Sequence, residues 1–408
     1  MNWDTELEKV AAKTKYPIGD GDHGAIKPAC YQDHGVPYIR VADITWDSQI
    51  VRSKMVYIPQ EVNEANPKSF LYPGDIVISK TGATIGKVAI IPDDIKIANT
   101  TASVGKVTLD TDLAIPKYVL WCMKSHQFQT QMWRVSHKSA QPGFNVKDLK
   151  KFKIPLPPLD QQKKIAAILD SADAYRQKTK ALITKYDELT QSLFLDMFGD
   201  PVRNPKGWEK VVFGNFITVL TDYHSNGSYE TLSKHVTLKN EPDFSLMVRT
   251  TDLEKNNFID GVKYIDEHAY NHLTKSKIFG GEIIMNKIGS AGKVYRMPKL
   301  NRPVSLGMNA FLLRFKDSIN QVFLYFQLTS KYGEREIQKR VKGAVTKTIR
   351  KDAVREIPIL SPPLELQNQF AERVQAIEAQ KAQAQASLAQ AEDLFNSLLQ
   401  RAFKGELV

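Results

Sequence analysis

Gly74-Asp75-Ile76-Val77-Ile78-Ser79-Lys80-Thr81-Gly82 has a counterpart further along the chain, Gly281-Glu282-Ile283-Ile284-Met285-Asn286-Lys287-Ile288-Gly289. Each stretch combines a glycine-acid pair, a run of apolar residues, a lysine and a second glycine. Short runs rich in β-branched residues between glycines predict a strand with a turn at either end. Both stretches continue to Gly-Lys-Val, at Gly86-Lys87-Val88 and at Gly292-Lys293-Val294, so the similarity extends beyond the strand.

The similarity keeps its register along the chain. Tyr118-Val119-Leu120-Trp121 matches Phe323-Leu324-Tyr325-Phe326, and Ser192-Leu193-Phe194 matches Ser397-Leu398-Leu399. Between them, Ile154-Pro155-Leu156-Pro157-Pro158-Leu159 matches Ile357-Pro358 and Pro362-Pro363-Leu364, with two extra residues in the second copy. Chance similarity does not hold register in this way, so the pattern indicates an internal duplication. Each copy is predicted to be a module followed by its own terminal segment.

The two terminal segments are predicted to be long helices, each roughly 58 Å in length. Their apolar residues recur at alternating steps of three and four, which is the spacing of a coiled-coil seam. In the first helix the seam comprises Ile165, Ile168, Ala172, Tyr175, Thr179, Leu182, Tyr186, Leu189 and Leu193. In the second it comprises Phe370, Val374, Ile377, Ala384, Leu388, Ala391, Phe395 and Leu398, interrupted by Lys381. Asp160 and Glu365 lie in the first turns, and Gly199 and Gly405 follow the last turns, as at helix ends.

The predicted fold class is α+β, with two repeated mixed α/β modules separated by two long antiparallel helices that form a coiled coil. Within the modules, Ile115 to Val135 and Asn320 to Val341 are predicted as amphipathic helices beside a modest curved sheet. The predicted segments are a first module at 1–156, a first helix at 157–198, a second module at 199–361 and a second helix at 362–408.

The composition is that of a globular protein, with 408 residues, 42% hydrophobic and 25% charged. Lys and Arg number 56 against 45 Asp and Glu, and the formal net charge of +11 suits a polyanionic partner. The two cysteines, Cys30 and Cys122, predict neither a disulfide framework nor a metal site. We expect a reducing cytoplasm, because Met1-Asn2-Trp3-Asp4 lacks a signal-peptide pattern and no apolar run is long enough to span a membrane.

Motifs for catalysis or cofactor binding receive little support. Gly19-Asp20-Gly21-Asp22-His23-Gly24 fits G-x-G-x-x-G, but Ala25-Ile26-Lys27-Pro28 follows it and two acids lie where a pyrophosphate would bind, so we predict a flexible loop. No Walker-type P-loop occurs, and the Pro-Pro pairs lack the Asn or Asp and the aromatic residue of an amino-methyltransferase motif. Pro92-Asp93-Asp94-Ile95-Lys96 is predicted to be a surface turn, and the histidines lack metal-ligand spacing. We expect no catalytic residue, metal or cofactor on this chain.

Two basic stretches, Lys124 to Lys153 and Lys331 to Arg355, occupy equivalent places in the repeat. Inside them, residues 136–141 and 342–348 are predicted to be mobile polar loops. Lys and Arg anchor phosphates, while Arg, Lys, Gln and Asn can read base edges in the major groove. Lys80 and Lys287, each between a strand and a glycine turn, are placed to reach a DNA backbone. The candidate DNA-binding residues are Lys80, Arg134, Lys138, Lys287, Lys342, Lys347 and Arg350.

Over nearly its whole length the chain resembles the specificity subunit of type I restriction-modification systems. The resemblance rests on the helix start Ile154-Pro155-Leu156-Pro157-Pro158-Leu159-Asp160-Gln161-Gln162, on the strand 74–79 with its glycines, and on Ala402-Phe403-Lys404-Gly405-Glu406-Leu407. The second helix start departs from the pattern, with Leu364-Glu365-Leu366-Gln367 where Glu-Gln usually follows more closely. This departure puts only local contacts in doubt.

The resemblance implies a non-catalytic subunit whose modules are target recognition domains, each reading one half of a bipartite double-stranded DNA target. The two helices would set the length of the non-specific gap between the halves. Two methyltransferase subunits and two ATP-dependent restriction subunits would be the partners, in a prokaryotic cytoplasm and without a membrane. S-adenosylmethionine, Mg and ATP would be bound by those partners and not by this chain.

A different class of function is also compatible with the residues. The chain would then be a scaffold whose coiled coil pairs with other proteins, and its basic charge would be incidental. Substitution of basic residues in the two polar loops discriminates between these hypotheses, because only a DNA-binding surface would lose affinity for DNA and salt dependence.

Overall fold

The computed structural model describes residues 1–136 and 142–407, and the chain forms two compact units. The first unit comprises Met1–Ala181 together with the chain from Gln385 onward, and the second comprises Leu182–Ala384. Each unit therefore contains one copy of the repeat and a part of each long helix.

The first unit contains nine strands among its described residues: β1 (Thr5–Glu6), β2 (Ile18–Asp20), β3 (Val36–Ile39), β4 (Val56–Ile58), β5 (Ile76–Ser79), β6 (Val88–Ile90), β7 (Asn99–Thr100), β8 (Val104–Val107) and β9 (Lys153–Ile154). Its helices are α1 (Gln60–Glu64), α2 (Pro116–Lys124), α3 (His126–Ser136), α4 (Val146–Lys151) and the first part of α5 (Leu159–Phe198). The strands form an antiparallel sheet in the order β2-β8-β5-β6, a sheet in the order β4-β3-β7 and a β1-β9 ribbon.

The second unit repeats this arrangement with strands β10 (Lys210–Val212), β11 (Ile217–Asp222), β12 (Ser245–Val248), β13 (Lys263–Ile265), β14 (Lys277–Ile278), β15 (Ile283–Asn286), β16 (Val294–Arg296), β17 (Val304–Leu306), β18 (Ala310–Phe315) and β19 (Pro358–Leu360). Its helices are α6 (Tyr229–His235), α7 (Thr250–Lys255), α8 (Glu267–His272), α9 (Gln321–Thr329), α10 (Lys331–Gln338), α11 (Lys351–Arg355) and the first part of α12 (Leu364–Lys404). The sheet orders are β11-β18-β15-β16, β13-β12-β17-β14 and β10-β19.

The sheets of the two units correspond strand for strand, except that β14 extends the second sheet of the second unit. The predicted duplication and the α+β class are therefore confirmed. The prediction of a single modest sheet per module was wrong, because short strands farther from the quoted stretches form a second sheet and a ribbon in each unit. These strands have only two to four residues each, which is too short for a clear periodic pattern in the sequence.

The strands β5 and β15 occupy inner positions in their sheets, and all four residues of each are buried. The acid before each strand is also buried and accepts backbone hydrogen bonds from the preceding turn. Asp75 Oδ2 accepts from the Tyr72 amide at 2.8 Å, and Glu282 Oε2 accepts from the Gly280 amide at 2.7 Å. The predicted turns into these strands are therefore confirmed.

The predicted helix at Ile115 to Val135 is broken into α2 and α3, and the one at Asn320 to Val341 is broken into α9 and α10. This corrects the prediction of one continuous helix in each module. A serine in extended conformation causes each break: the Ser125 and Ser330 hydroxyls each donate to the carbonyl three residues earlier, both at 2.6 Å. Serine favours such local hydrogen bonds over helical ones, and apolar periodicity does not register them.

The two long helices begin directly after the Pro-Pro pairs, as predicted, and have 40 and 41 residues. Gly199 and Gly405 follow them with φ of +78° and +85°, a left-handed conformation that favours glycine at helix ends. In the second unit the ring of Phe194 packs on that of Phe370 with centroids 5.7 Å apart, and Asp187 pairs with Lys381. The later position on α5 therefore meets the earlier one on α12, so the helices run antiparallel in this unit.

The seam of α12 lies inward. Phe370, Val374, Ala384, Ala391 and Phe395 are buried, and Ile377, Leu388 and Leu398 are half-buried. Lys381, which interrupts the apolar seam, forms an ion pair with Asp187 of α5. Polar and charged residues therefore take part in this packing.

Six of the nine positions predicted for the seam of α5 are buried or half-buried. Ile165 and Thr179 are buried, and Ile168, Ala172, Tyr186 and Leu193 are half-buried. Tyr175, Leu182 and Leu189 are 54%, 42% and 50% exposed, so their placement in the seam was wrong. Next to these three exposed positions, Arg176, Ile183 and Thr190, each one residue later, are buried or half-buried instead.

Partners for polar groups explain this shift. The Arg176 guanidinium donates to Asp173 at 2.6 Å and lies over the Phe395 ring at 4.3 Å in the first unit. The Thr190 hydroxyl donates to the Tyr186 carbonyl at 2.9 Å in the second. A search for apolar residues selects the neighbouring Tyr175 and Leu189, because it gives no weight to a polar side chain that finds a partner inside the fold.

Candidate nucleic-acid interface

The turn after β5, Lys80-Thr81-Gly82, contacts residues 142–144 of the first basic stretch; we call it the central turn. The Phe144 amide donates to the Lys80 carbonyl at 3.2 Å, and the Gly82 amide donates to the Pro142 carbonyl at 3.0 Å. Thr81 and Gly143 pair as an isolated antiparallel bridge. The central turn therefore holds the backbone in the middle of the first basic stretch.

The second unit has the same contacts at its central turn, Lys287-Ile288-Gly289. The Ile349 amide donates to the Lys287 carbonyl at 3.0 Å, and the Gly289 amide donates to the Lys347 carbonyl at 3.1 Å. Ile288 pairs with Thr348 as an isolated antiparallel bridge. Both basic stretches are thus attached to equivalent turns by equivalent hydrogen bonds.

The segment Lys342–Thr348, here named the basic turn, is closed by two backbone hydrogen bonds between its ends, of 2.8 and 2.7 Å. Gly343 has φ of +107°, and a Cβ there would lie 2.1 Å from the Thr346 carbonyl oxygen. The side chains of Lys342, Lys347 and Arg350 are exposed. The sequence predicted a mobile polar loop here; the structure shows that backbone pairing closes its two ends, which residue types alone do not reveal.

In the first unit, Arg134 is exposed on α3. Lys138 and most of the loop predicted at 136–141 lie outside the described residues. Among the described DNA-binding candidates of the first unit, Arg134 is therefore the exposed one. In the second unit, Lys342, Lys347 and Arg350 lie together on and beside the basic turn.

Lys80 and Lys287 each form an ion pair with an acid of the same unit, and the burial of Lys80 corrects the expectation that this lysine reaches a DNA backbone. Lys80 Nζ is 2.5 Å from Asp20 Oδ2, and its side chain is only 5% exposed. Lys287 Nζ is 2.8 Å from Asp222 Oδ2, with 28% of its side chain exposed. The position of a lysine beside a glycine turn did not reveal that an acid two strands away lies within its reach.

The acid of the second pair is held in its charged form. Burial alone would raise the pKa of Asp222, but hydrogen bonds from Lys287 and Ser225 and the charges of Lys287 and Lys351 outweigh it, so the pKa is lowered. Lys351 Nζ lies 3.6 Å from Asp222 Oδ1. Asp222 is therefore paired with two lysines, Lys287 on the central turn and Lys351 at the start of α11.

An arginine-aspartate pair recurs in both units and was missed in the sequence. Arg40 and Arg249 each donate from Nε and Nη2 to the acid three residues later, Asp43 or Asp252. Each arginine also donates to a backbone carbonyl of a following loop, at 2.6 Å to Lys54 and at 2.7 Å to Gly261. The shared Arg-x-x-Asp spacing at matched places in the repeat was the available signal.

The Gly19–Gly24 segment, predicted to be a flexible loop, has a defined hydrogen-bonding role. Asp22 Oδ2 accepts from the Gly24 and Ile26 amides, both at 2.9 Å, and Asp22 Oδ1 accepts from the Tyr38 hydroxyl. Both acids of the segment thus serve hydrogen bonds or ion pairs within the first unit. Within the described ranges, no group of three or more His, Cys, Asp or Glu is arranged to hold a metal ion.

No helix in the described part of the chain is both long enough and apolar enough to cross a bilayer.

Comparisons with known proteins agree with the repeated architecture. The profile of the type I restriction modification DNA specificity domain matches twice, at residues 24–189 and 205–392. A putative type I restriction enzyme MjaX specificity subunit of Methanocaldococcus jannaschii is 26% identical over 364 residues, which is 84% of this chain and 80% of that protein. The MjaIX specificity subunit of the same organism is 22% identical over 424 residues, covering 100% of this chain and 94% of that protein.

Two solved structures share the fold. The type I restriction-modification S subunit of M. genitalium superposes with a TM-score of 0.58 at 15% identity, covering 99% of this chain and 96% of that one. A chain from a structural study of the assembly and conformational transition of the type I R-M system gives 0.54 at 18% identity, covering 100% and 98%. Because the family profile matches most of the chain in two copies, the chain belongs to the type I restriction-modification DNA specificity family, as a non-catalytic specificity subunit with two DNA specificity domains.

Proposed function

We propose that each module reads one half of a bipartite DNA target and meets the DNA with the basic stretch attached to its central turn. The observation that carries this proposal is the repeated pair of backbone hydrogen bonds, Phe144 to Lys80 and Ile349 to Lys287, which attaches a basic stretch to the same place in each unit. Lys and Arg on such a surface would neutralise phosphates and release counterions.

The proposed contacts are Arg134 and Lys138 in the first module and Lys342, Lys347 and Arg350 in the second. Arg350 precedes α11, and Lys347 and Lys342 flank the exposed tip of the basic turn, where Val345 is 97% exposed. A closed turn loses little conformational freedom on binding, which favours affinity. The basic turn thus presents its cations on a backbone that is already ordered.

We assign the functional parts of the chain as in the sequence: recognition modules at 1–156 and 199–361, and spacer helices at 157–198 and 362–408. The length of the helices would set the gap between the half-sites. Two methyltransferase subunits and two restriction subunits would assemble on this chain, and they would bring S-adenosylmethionine, Mg and ATP. Family membership supports the kinds of partner, and their number follows from the resemblance alone.

The test uses the chain assembled with its methyltransferase subunits and the substitutions Lys138→Glu, Lys342→Glu and Lys347→Glu combined. We expect weaker binding to duplex DNA and a slope of log Kd against log salt reduced by about 0.9 for each lost phosphate contact.

The control makes the same change of net charge at three exposed lysines elsewhere, with Lys54→Glu, Lys96→Glu and Lys255→Glu combined. If both triple variants lose affinity equally, or if neither does, the basic stretches are not the DNA-binding surface. The second outcome would favour the scaffold hypothesis.

A further inference from the structure

In the first unit, the Asp20–Lys80 ion pair spans three strands of one sheet. Asp20 ends β2, Lys80 follows β5, and β8 lies between them. Gly105 of β8 is in register with both Asp20 and Ile78. A Cβ at Gly105 would lie 3.2 Å from Lys80 Cδ and 2.9 Å from Leu149 Cδ2, so the lysine side chain crosses β8 where that strand has no side chain.

The second unit has the same crossing with a different central residue. Asp222 ends β11, Lys287 follows β15, and Phe311 of β18 is in register with Asp222 and with Met285. Lys287 Nζ lies 5.7 Å from the centre of the Phe311 ring, a cation–π distance. The lysine of the ion pair therefore crosses the middle strand at Gly105 in the first unit and at the Phe311 ring in the second.

In the second unit another lysine, Lys351, links Asp222 to the part of the basic stretch that follows the basic turn. Lys351 Nζ lies 3.6 Å from Asp222 Oδ1 and 3.1 Å from Ser225 Oγ, and also 6.0 Å from the Phe311 ring centre. Lys351 begins α11, next to Arg350. Asp222 therefore contacts a lysine on the central turn and another three residues after the basic turn.

We propose that Asp20–Lys80 and Asp222–Lys287 are positioning pairs, which fix the central turn of each module and through it the basic stretch that meets DNA. The proposal rests on the proposed function. In each pair the carbonyl of the lysine itself accepts the hydrogen bond from the basic stretch, at Phe144 or Ile349. Loss of the pair releases the residue to which the basic stretch is attached.

Long-range electrostatics and positioning of the central turn predict opposite changes in DNA affinity when the charge of Asp222 is removed. Asp222 is a negative charge beside a surface that meets a polyanion, so its removal would strengthen DNA binding if only long-range charge mattered. If Asp222 positions the turn, its removal weakens binding although the chain becomes more basic. Asp222→Asn keeps the size and shape of the side chain and therefore decides between the two.

The experiment measures Kd for the target duplex over a series of KCl concentrations, with the chain assembled with its methyltransferase subunits. We expect Asp222→Asn and Lys287→Met each to weaken binding about tenfold with an unchanged salt slope, and the double variant to be no weaker than either. Lys287→Arg, which keeps the charge, restores most of the affinity. Discrimination against single base-pair changes falls in one half-site only.

The control is Asp243→Asn, which breaks the 2.6 Å pair of Asp243 with Lys239 in the same unit but far from the central turn in sequence; its DNA affinity stays at that of the parent. Binding by Asp222→Asn that equals or exceeds the parent's overturns the proposal. So does a salt slope lowered by about 0.9 in Lys287→Met, because that marks a direct phosphate contact. Should Asp222→Asn not fold, the slope of Lys287→Met decides.

Failure of this proposal is distinguishable from failure of the proposed function. If the Lys138, Lys342 and Lys347 substitutions leave DNA affinity unchanged, the proposed function itself fails. If they weaken binding while Asp222→Asn does not, only the role of the pairs is refuted.

Discussion

Gln162 Oε1 accepts a hydrogen bond from the Ile115 amide at 2.9 Å, and this contact fastens the start of α5 to the start of α2. Its Nε2 donates to the Leu113 and Pro157 carbonyls at 3.0 and 2.8 Å. Gln367 makes equivalent contacts in the second unit, accepting from the Asn320 amide at 2.9 Å and donating to the Pro362 carbonyl at 2.7 Å. The second helix start thus departs from the first in sequence but keeps the glutamine that performs this role.

Gln162→Ala and Gln367→Ala are each expected to lower the free energy of unfolding by about 1–3 kcal/mol, because both glutamines are buried and their loss leaves backbone groups unpaired. Urea denaturation of each variant measures the effect. Gln375→Ala, at an exposed position of α12, is the control and should leave stability unchanged. Equal stability of all three variants would show that these contacts do not hold the helix starts.

Arg249→Lys tests the repeated arginine-aspartate pair. Lysine keeps the charge but cannot donate simultaneously to both Asp252 oxygens and to the Gly261 carbonyl, so we expect a loss of about 1–2 kcal/mol in unfolding free energy. Arg203→Lys, at a side chain that is 86% exposed, is the matched control with no expected effect. A variant at Arg249 as stable as that control would refute a bracing role for the guanidinium.

The stability of the second unit is expected to depend on pH through Asp222. Its folded-state pKa is lowered, so the ionised form stabilises the fold above the unfolded pKa, and this contribution is lost as pH falls through the folded pKa. The difference in unfolding free energy between the parent and Asp222→Asn should therefore shrink as pH is lowered from about 6 to about 3. A difference that stays constant over this range would contradict the assignment.

Asp75 supplies a control of opposite sign in the first unit. Burial is the largest influence on its carboxyl and raises the pKa despite the hydrogen bond from the Tyr72 amide. Ionisation of Asp75 therefore costs stability as pH rises through the raised pKa. Relative to the parent, Asp75→Asn should become more stable as pH increases, which is the reverse of the trend for Asp222→Asn.

Much of the fold was predictable because the two modules share the same apolar periodicity and the same glycine positions. The strands β5 and β15, the starts and ends of α5 and α12, and the correspondence of the two modules all follow from local patterns. The breaks at Ser125 and Ser330 and the inward positions of Arg176 and Thr190 depend on polar groups finding partners, which periodicity does not record.

The matched positions of the two basic stretches were predictable from the sequence, but the ion pairs of Lys80 and Lys287 were not. The basic stretches do lie at matched places in the repeat. However, the roles of Lys80 and Lys287 depend on Asp20 and Asp222, which are distant in sequence and come near only because β8 and β18 lie between their strands. The order of the strands in the sheet decides such contacts, and the residues next to either lysine in the sequence do not reveal that order.

The spacer role is tested by inserting seven residues after Ala181 and seven after Ala384, at the boundaries of the compact units. A heptad keeps the seam in register and adds about 10 Å of helix, which corresponds to roughly three base pairs. We expect the gap between the half-sites to lengthen accordingly. The control replaces the seven residues that precede each boundary without changing the length, and an unaltered gap in the lengthened chain would exclude the spacer role.

We propose that the two modules read two separate halves of one DNA target. The most direct measurement is a map of modified adenines in DNA from cells that contain this chain and its methyltransferase partners. We expect a single two-part sequence with a gap of fixed length, in which each part changes when the corresponding module is exchanged. Modification at one contiguous short site, or no modification with the partners present, would contradict it.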